Sequence, residues 1–137
     1  MGICGRGGTT TAFSFGDGLN VTQANFNGNY PYASTKGNYI GKTVKVGSYQ
    51  PNNFGLYDMH GNVGEWVQDI YNSSYSNLPT DGSVNLSVGD SSNRVLRGGS
   101  WSDSGVGCRS AGRYGFAPAS RSISLGFRLV ARARSLQ

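Results

Sequence analysis

A chain of 137 residues has length for one hydrophobic core and not for two. Its 22 glycines exclude a helical bundle, because each costs about 1 kcal/mol in a helix interior relative to alanine. No apolar run reaches the roughly 18 residues a membrane span needs, and the net charge of +5 is unevenly placed. Residues 1–93 carry Arg6 and three Lys against six acids, a net of −2, whereas residues 94–137 carry eight Arg against Asp103 alone, a net of +7.

In chain order, Met1-Gly2-Ile3-Cys4-Gly5-Arg6 has neither the apolar stretch of a secretory signal nor the Ser or Thr at position 6 of a myristoylation site. Gly5-Arg6-Gly7-Gly8 is no phosphate cradle, since Thr-rich sequence and not a helix follows it. Residues 7–41 read as irregular loops pinned by Phe13, Phe15, Phe26, Tyr30, Tyr32 and Tyr39. Thr43–Val46 alternates and is expected to be a strand. Pro51-Asn52-Asn53 marks a turn. Val63–Tyr71 has apolar residues at helical spacing, but its glycines and β-forming residues favour a strand. Residues 72–93 read as loop. Arg94–Arg97 and Leu125–Val130 read as strands with loop-like sequence between them. The expected class is α+β, with short strands in a majority of irregular backbone and one domain over 1–137.

Two cysteines far apart, Cys4 and Cys108, and one histidine, His60, signal no zinc site, and two buried reduced thiols are expected. His60 is expected to be a turn residue and not a ligand. The C-terminal arginines are spaced singly among small and apolar residues, which suits fixed bonds to carbonyls and carboxylates better than a phosphate track. Arg97, Arg109, Arg113 and Arg128 are therefore expected to brace loops.

Several segments together resemble one family. Asn53-Phe54-Gly55-Leu56-Tyr57-Asp58-Met59-His60-Gly61-Asn62-Val63-Gly64-Glu65-Trp66-Val67 is similar to the hallmark block of the formylglycine-generating-enzyme-like (sulfatase-modifying-factor) domain. So are Arg94-Val95-Leu96-Arg97-Gly98-Gly99-Ser100-Trp101, Cys108-Arg109-Ser110-Ala111 and Gly126-Phe127-Arg128-Leu129. The family's usual first block has Trp where Gly64 stands, and its N-terminal part has no counterpart, so the chain resembles a trimmed version. The resemblance implies a variant of the C-type lectin fold. It also implies that the oxidase's copper chemistry is absent, because its first cysteine position is Asp103 and only its second, Cys108, is kept. Two thiolates hold Cu(I); a single one does so poorly. No catalytic residue is assigned.

A second resemblance concerns the C-terminal third. The chain has 12 Asn in its first 93 residues and none in its last 44. Where family members carry Asn stand Ser102, Asp103, Ser104, Gly107, Gly112, Tyr114, Gly115, Phe116, Ser120, Ser122 and Ser124. Each is reached from an AAC codon by changing adenines alone, and residues 102–124 contain no Lys, Glu, Gln, Met or Trp. This pattern resembles the variable proteins of diversity-generating retroelements, where adenine-directed mutagenesis alters ligand specificity on a C-type-lectin-fold domain. It implies a non-catalytic ligand-binding module, in which those eleven residues form an exposed surface with Tyr114 and Phe116 as anchors. Small residues such as Ser104, Gly107, Gly112, Gly115 and Ser122 would shape its pocket. Leu96, Trp66, Trp101, Phe127 and Leu129 would be buried beneath it. The partner would be a protein or surface ligand, at a virion or cell surface in a viral or prokaryotic setting, without nucleic acid or membrane insertion.

No cofactor is required on this reading. Family members bind calcium at positions matching Asp58, Gly61, Val63 and Glu65, two acidic side chains and two carbonyls of a kind that suits the ion. Glu65 held by an Arg or by backbone amides is the competing expectation. The competing functions are a degenerate sulfatase-modifying enzyme and a nucleic-acid binder resting on the basic tail.

Overall fold

The computed structural model describes residues 2–81 and 83–130. Met1, Gly82 and residues 131–137 of the expected 1–137 domain, with Arg132 and Arg134, lie outside them. Five elements stand in mostly irregular backbone: a short helix α1 (Gly2–Arg6) and strands β1 (Gly64–Tyr71), β2 (Asp90–Arg97), β3 (Tyr114–Phe116) and β4 (Leu125–Gly126). The strands form one sheet in the order β3-β2-β1-β4. The α+β expectation, with short strands and a loop majority, matches this architecture.

β1 is a strand because Trp66, Val67, Ile70 and Tyr71 suit a pleated surface covered on both sides. It pairs antiparallel with β2, Trp66 opposite Leu96 and Ile70 opposite Arg94, with an irregularity between the two pairs. In β2 the neighbours Val95 and Leu96 point to opposite faces, and both are buried. The sheet is therefore covered on both sides. β3 adds antiparallel to β2, setting Tyr114 opposite Leu96 and Phe116 opposite Arg94. β4 runs parallel to β1 at the other edge.

The main apolar cluster lies beside the sheet, among loops. Phe13, Leu19, Ala24, Phe26 and Cys108 are buried together, with Ala12, Val21 and Tyr32 packed against them. Backbone bonds sew the 103–110 loop to the N-terminal loops: Asn27 N–H to the Asp103 carbonyl at 2.9 Å, Gly105 N–H to Tyr30 at 2.8 Å and Ser110 N–H to Ala12 at 2.9 Å. Such bonds replace the strand ladders that a loop-rich fold lacks.

Four expectations need correction. Thr43–Val46 forms no strand; the Asn62 side chain takes its backbone, with Val44 N–H donating to Asn62 Oδ1 at 3.0 Å. Tyr114–Phe116, read as loop, is a strand, because β2 offers it an open edge. The expected strand Leu125–Val130 stops at Gly126, and beyond it Phe127 (74% exposed) and Leu129 (89% exposed) are not buried as expected. They follow a two-residue edge strand that no further described strand flanks. Trp66 and Trp101 are only half-buried; Trp101 lies across Tyr39, with ring centroids 6.1 Å apart. Of the cysteines, Cys108 is buried but Cys4 is exposed.

Candidate functional site

β2 and β3 set the site. Because Tyr114 and Phe116 are two residues apart in β3, they project from the same face as Leu96, whose partner is Tyr114. After β2 the chain turns through Gly98 and Gly99, both at positive φ (85° and 69°), delivering Ser100 and the 101–104 turn over that face. β4 brings Ser124 and Leu125 alongside. These elements enclose a cavity of about 260 Å³ lined by Gly64, Leu96, Gly99, Ser100, Ser102, Asp103, Tyr114, Phe116, Ser124 and Leu125.

Five of the eleven sequence-predicted positions therefore meet at one cavity: Ser102, Asp103, Tyr114, Phe116 and Ser124. Ser102, Tyr114 (37%) and Phe116 (43%) are exposed, and Asp103 and Ser124 half-buried. Ser122 is exposed and joins Ser124 through their hydroxyls at 3.0 Å. Ser104 and Ser120 are half-buried and do not line the cavity.

The three glycines depart from expectation. Gly107 is buried, and a Cβ there would overlap the Tyr114 hydroxyl. A Cβ on Gly112 would stand 2.7 Å from the Gly107 carbonyl oxygen, and one on Gly115 2.6 Å from the Tyr71 ring. They pack the scaffold and do not shape the pocket, a role expected also of Ser104 and Ser122; the lining falls to Ser102, Asp103, Tyr114, Phe116 and Ser124. Sequence reasoning missed Ser100, Leu125 and Leu96 as cavity walls. The Gly98-Gly99 pair was the available signal for Ser100, since successive glycines mark an abrupt redirection of the chain.

Asp103 does scaffold work as well. Its Oδ2 accepts from Ser100 N–H at 2.8 Å and from Ser100 Oγ–H at 2.7 Å, closing the turn. Cys108 lies close beneath, fully buried, its thiol turned to the Ser100 carbonyl at 4.0 Å. Burial, and secondarily the Asp103 charge, push that thiol far above its ordinary value. A protonated, enclosed thiol paired with a hard carboxylate already bonded to Ser100 does not fit Cu(I).

His60 is a buried bridge and not a surface turn residue. Nδ1 lies 2.9 Å from the Cys108 carbonyl, which only accepts, so Nδ1 carries the proton. Nε2 then accepts from Ser14 N–H at 3.1 Å. Burial lowers the imidazole pKa, opposed by its bonds to the Cys108 and Gly5 backbone.

The arginines brace loops as expected, with one exception. Arg97 Nη1 donates to the Ser110 and Gly112 carbonyls at 3.4 and 3.3 Å, and Arg109 Nε to Val106 at 3.1 Å. Arg113 instead lies over the Tyr75 ring at 4.0 Å.

Asp58, Gly61, Val63 and Glu65 fall on one turn at the start of β1. A Cβ on Gly61 would collide with the Asn25 carbonyl, so only glycine fits. Glu65 is buried, and both its oxygens face Arg128, from Nε and Nη2 at 2.5 Å. Arg128 Nη2 also donates to the Tyr57 and Asp58 carbonyls at 3.1 and 3.3 Å, and Asp58 Oδ2 accepts from Gly47 N–H at 2.7 Å. The donors as folded hold a guanidinium, and calcium fits them only with Arg128 displaced. No cluster of three or more His, Cys, Asp or Glu suited to a metal occurs among the described residues.

Residues 3–133 match the family described as sulfatase-modifying factor enzyme 1-like domain. A formylglycine-generating enzyme of Streptomyces coelicolor is 37% identical over 105 residues, 74% of this chain and 33% of that protein. The serine/threonine-protein kinase pkn1 of Chlamydia caviae is 33% identical over 126 residues, 91% of this chain and 18% of that protein. The chain thus spans a third or less of either relative. Among solved structures, Treponema denticola variable protein 1 is similar with a TM-score of 0.69 and 34% identity, over 92% of this chain and 42% of that one. PvdO from Pseudomonas aeruginosa is similar with a TM-score of 0.75 and 34% identity, over 92% and 47%. These likenesses agree with the C-type-lectin-like fold expected from the sequence.

Proposed function

The chain belongs to the sulfatase-modifying factor enzyme 1-like family, and from that premise we propose that it is a non-catalytic ligand-binding module, the variable protein of a diversity-generating retroelement. Residues 102–124 carry its diversified surface. The observation that carries this reading is the convergence of Ser102, Asp103, Tyr114, Phe116 and Ser124 on one cavity. Positions singled out by codon pattern alone have no other reason to meet. The likeness to a solved variable protein at 34% identity supports it. The partner is a protein or surface ligand, met at a virion or cell surface. No described helix is long and apolar enough to cross a membrane. Nucleic acid is disfavoured because Arg97, Arg109, Arg113 and Arg128 are committed to carbonyls, rings and Glu65.

The enzymatic alternative draws on the formylglycine-generating relative. Asp103 in place of the first cysteine and the enclosed Cys108 thiol weigh against it. The deciding experiment is to sequence the DNA around the gene. A reverse transcriptase and a near-copy of codons 100–130, with AAC where this gene varies, are expected. Their absence, with invariant codons 102–124 across isolates, would overturn the diversified reading.

A further inference from the structure

The cavity's chemistry is one-sided. Asp103 is the only ionisable acid or base among its ten lining residues apart from the phenol of Tyr114, and no Lys, Arg or His reaches it. Both bonds of Asp103 to Ser100 use Oδ2, so Oδ1 takes no part in them. The hydroxyls of Ser100, Ser102 and Ser124 add acceptors, Leu96 and Leu125 supply an apolar wall, and Tyr114 and Phe116 stand at the exposed side. The cationic neighbour, Arg109, is turned elsewhere: Nε bonds Val106, and the guanidinium lies over Tyr32 at 5.9 Å. Two groups register the Asp103 charge. After desolvation, it is the next cause raising both the Tyr114 phenol and the Cys108 thiol.

We propose, resting on the ligand-binding reading above, that this cavity takes the ammonium or guanidinium end of a lysine or arginine side chain presented by a protein ligand. A carboxylate in a partly desolvated cleft attracts an opposite charge strongly, because the local dielectric is low. Aromatic rings attract cations over their faces. The apolar wall receives the methylene stem, so that stem and head are matched separately. Size sets the upper limit. About 260 Å³ falls below the roughly 300–1,000 Å³ of sites for drug-sized ligands, so one side chain enters and the rest of the partner stays on the rim. The overall charge of +5 makes this acidic recess a local exception, which favours partners that present an isolated cation.

The test is a titration of the ¹⁵N-labelled protein with Nα-acetyl-lysine amide, Nα-acetyl-arginine amide, free cadaverine and the neutral Nα-acetyl-norleucine amide, followed by NMR. Lysine or arginine amide is expected to shift Ser102, Asp103, Tyr114, Phe116 and Ser124, and added salt to weaken binding. Norleucine amide is expected to bind about tenfold more weakly. Asp103→Asn should cost about tenfold in affinity for the cations and nothing for norleucine amide. Because Asp103 also closes the Ser100 turn, Tyr114→Leu is the second variant; it should weaken the cations about threefold while sparing norleucine amide. Norleucine amide binding as tightly as lysine amide, or full cation affinity in a folded Asp103→Asn protein, would overturn the cation class and leave the binding surface standing. Cadaverine binding more tightly than either capped amino acid would overturn the protein source. Shifts confined to residues away from the cavity, or no shift with any probe at millimolar concentration, would overturn the cavity itself as the site.

Discussion

The absent side chain of Gly107 and the hydroxyl of Tyr114 occupy the same space: a Cβ on Gly107 would overlap that oxygen. Gly107→Ala should therefore overpack the turn beneath β3 and lower stability by about 1–3 kcal/mol. Tyr114→Phe removes the obstructing atom, so the alanine should cost much less in the double variant. Melting or urea unfolding of the four proteins gives the coupling directly. An equal cost of Gly107→Ala in both backgrounds would show that the tyrosine yields freely. If the coupling holds, these two of the eleven positions do not vary independently, and large residues at 114 require glycine at 107.

His60 makes stability depend on pH. Its folded pKa lies below the ordinary value of 6.5, chiefly through burial, so the unfolded chain takes up its proton first as pH falls. The contribution is complete above 6.5 and is lost as pH drops from there toward the folded pKa, with a slope of at most about 1.4 kcal/mol per pH unit for one proton. Asp81 and Asp90, held low by hydrogen bonds from Ser83 and Ser92, titrate below this window. The melting temperature should fall between about pH 7 and 5.5. His60→Gln should be less stable at pH 7 but flat across the same range, and an equal slope in that variant would assign the dependence elsewhere.

How much of this was legible depends on what each segment pairs with. β1 and the end of β2 could be read because Trp66, Ile70, Val95 and Leu96 carry their strand signal in their own side chains. Tyr114–Phe116 could not: a three-residue segment centred on Gly115 becomes a strand only because β2 has a free edge. Thr43–Val46 shows the reverse, strand-like residues whose backbone is taken by the Asn62 amide. The site divides in the same way. Codon pattern found Ser102, Tyr114 and Phe116, whose exposure lets them vary. It also gathered Gly107, Gly112 and Gly115, because residue type alone does not distinguish a glycine kept small by neighbours from one that is small by mutation.

The Glu65–Arg128 pair sets the expectation for calcium. Removing the guanidinium by Arg128→Ala leaves a buried carboxylate and the Tyr57 and Asp58 carbonyls without their donor, and should destabilise the protein by about 3 kcal/mol. In the wild type, millimolar calcium is expected to leave the melting curve unchanged, because the ion must first displace a bonded cation. In Arg128→Ala the same Asp58 and Glu65 oxygens are open, so calcium should raise the melting temperature by mass action. A clear rise in the wild type, abolished by Glu65→Gln, would show that calcium displaces Arg128 and that the family's metal site operates here.

Cys108 and Cys4 should separate cleanly in a thiol assay. Cys4 is exposed, while Cys108 is enclosed with its thiol held protonated by burial and by Asp103. An aromatic disulfide reagent at neutral pH should titrate one thiol in the native protein and two in denaturant. The same enclosure bears on catalysis, since a thiol that neither ionises nor meets a second thiol cannot gather copper. A cysteine-containing sulfatase peptide, incubated with the protein, copper and oxygen, should keep its cysteine by mass spectrometry, and Cys108→Ala should lower stability by about 1 kcal/mol. Conversion of the peptide beyond a single equivalent would mean that Cys108 opens to solvent during turnover. A native titre of two thiols would place that opening in the resting protein, and either result would return the chain to the enzymes of its family.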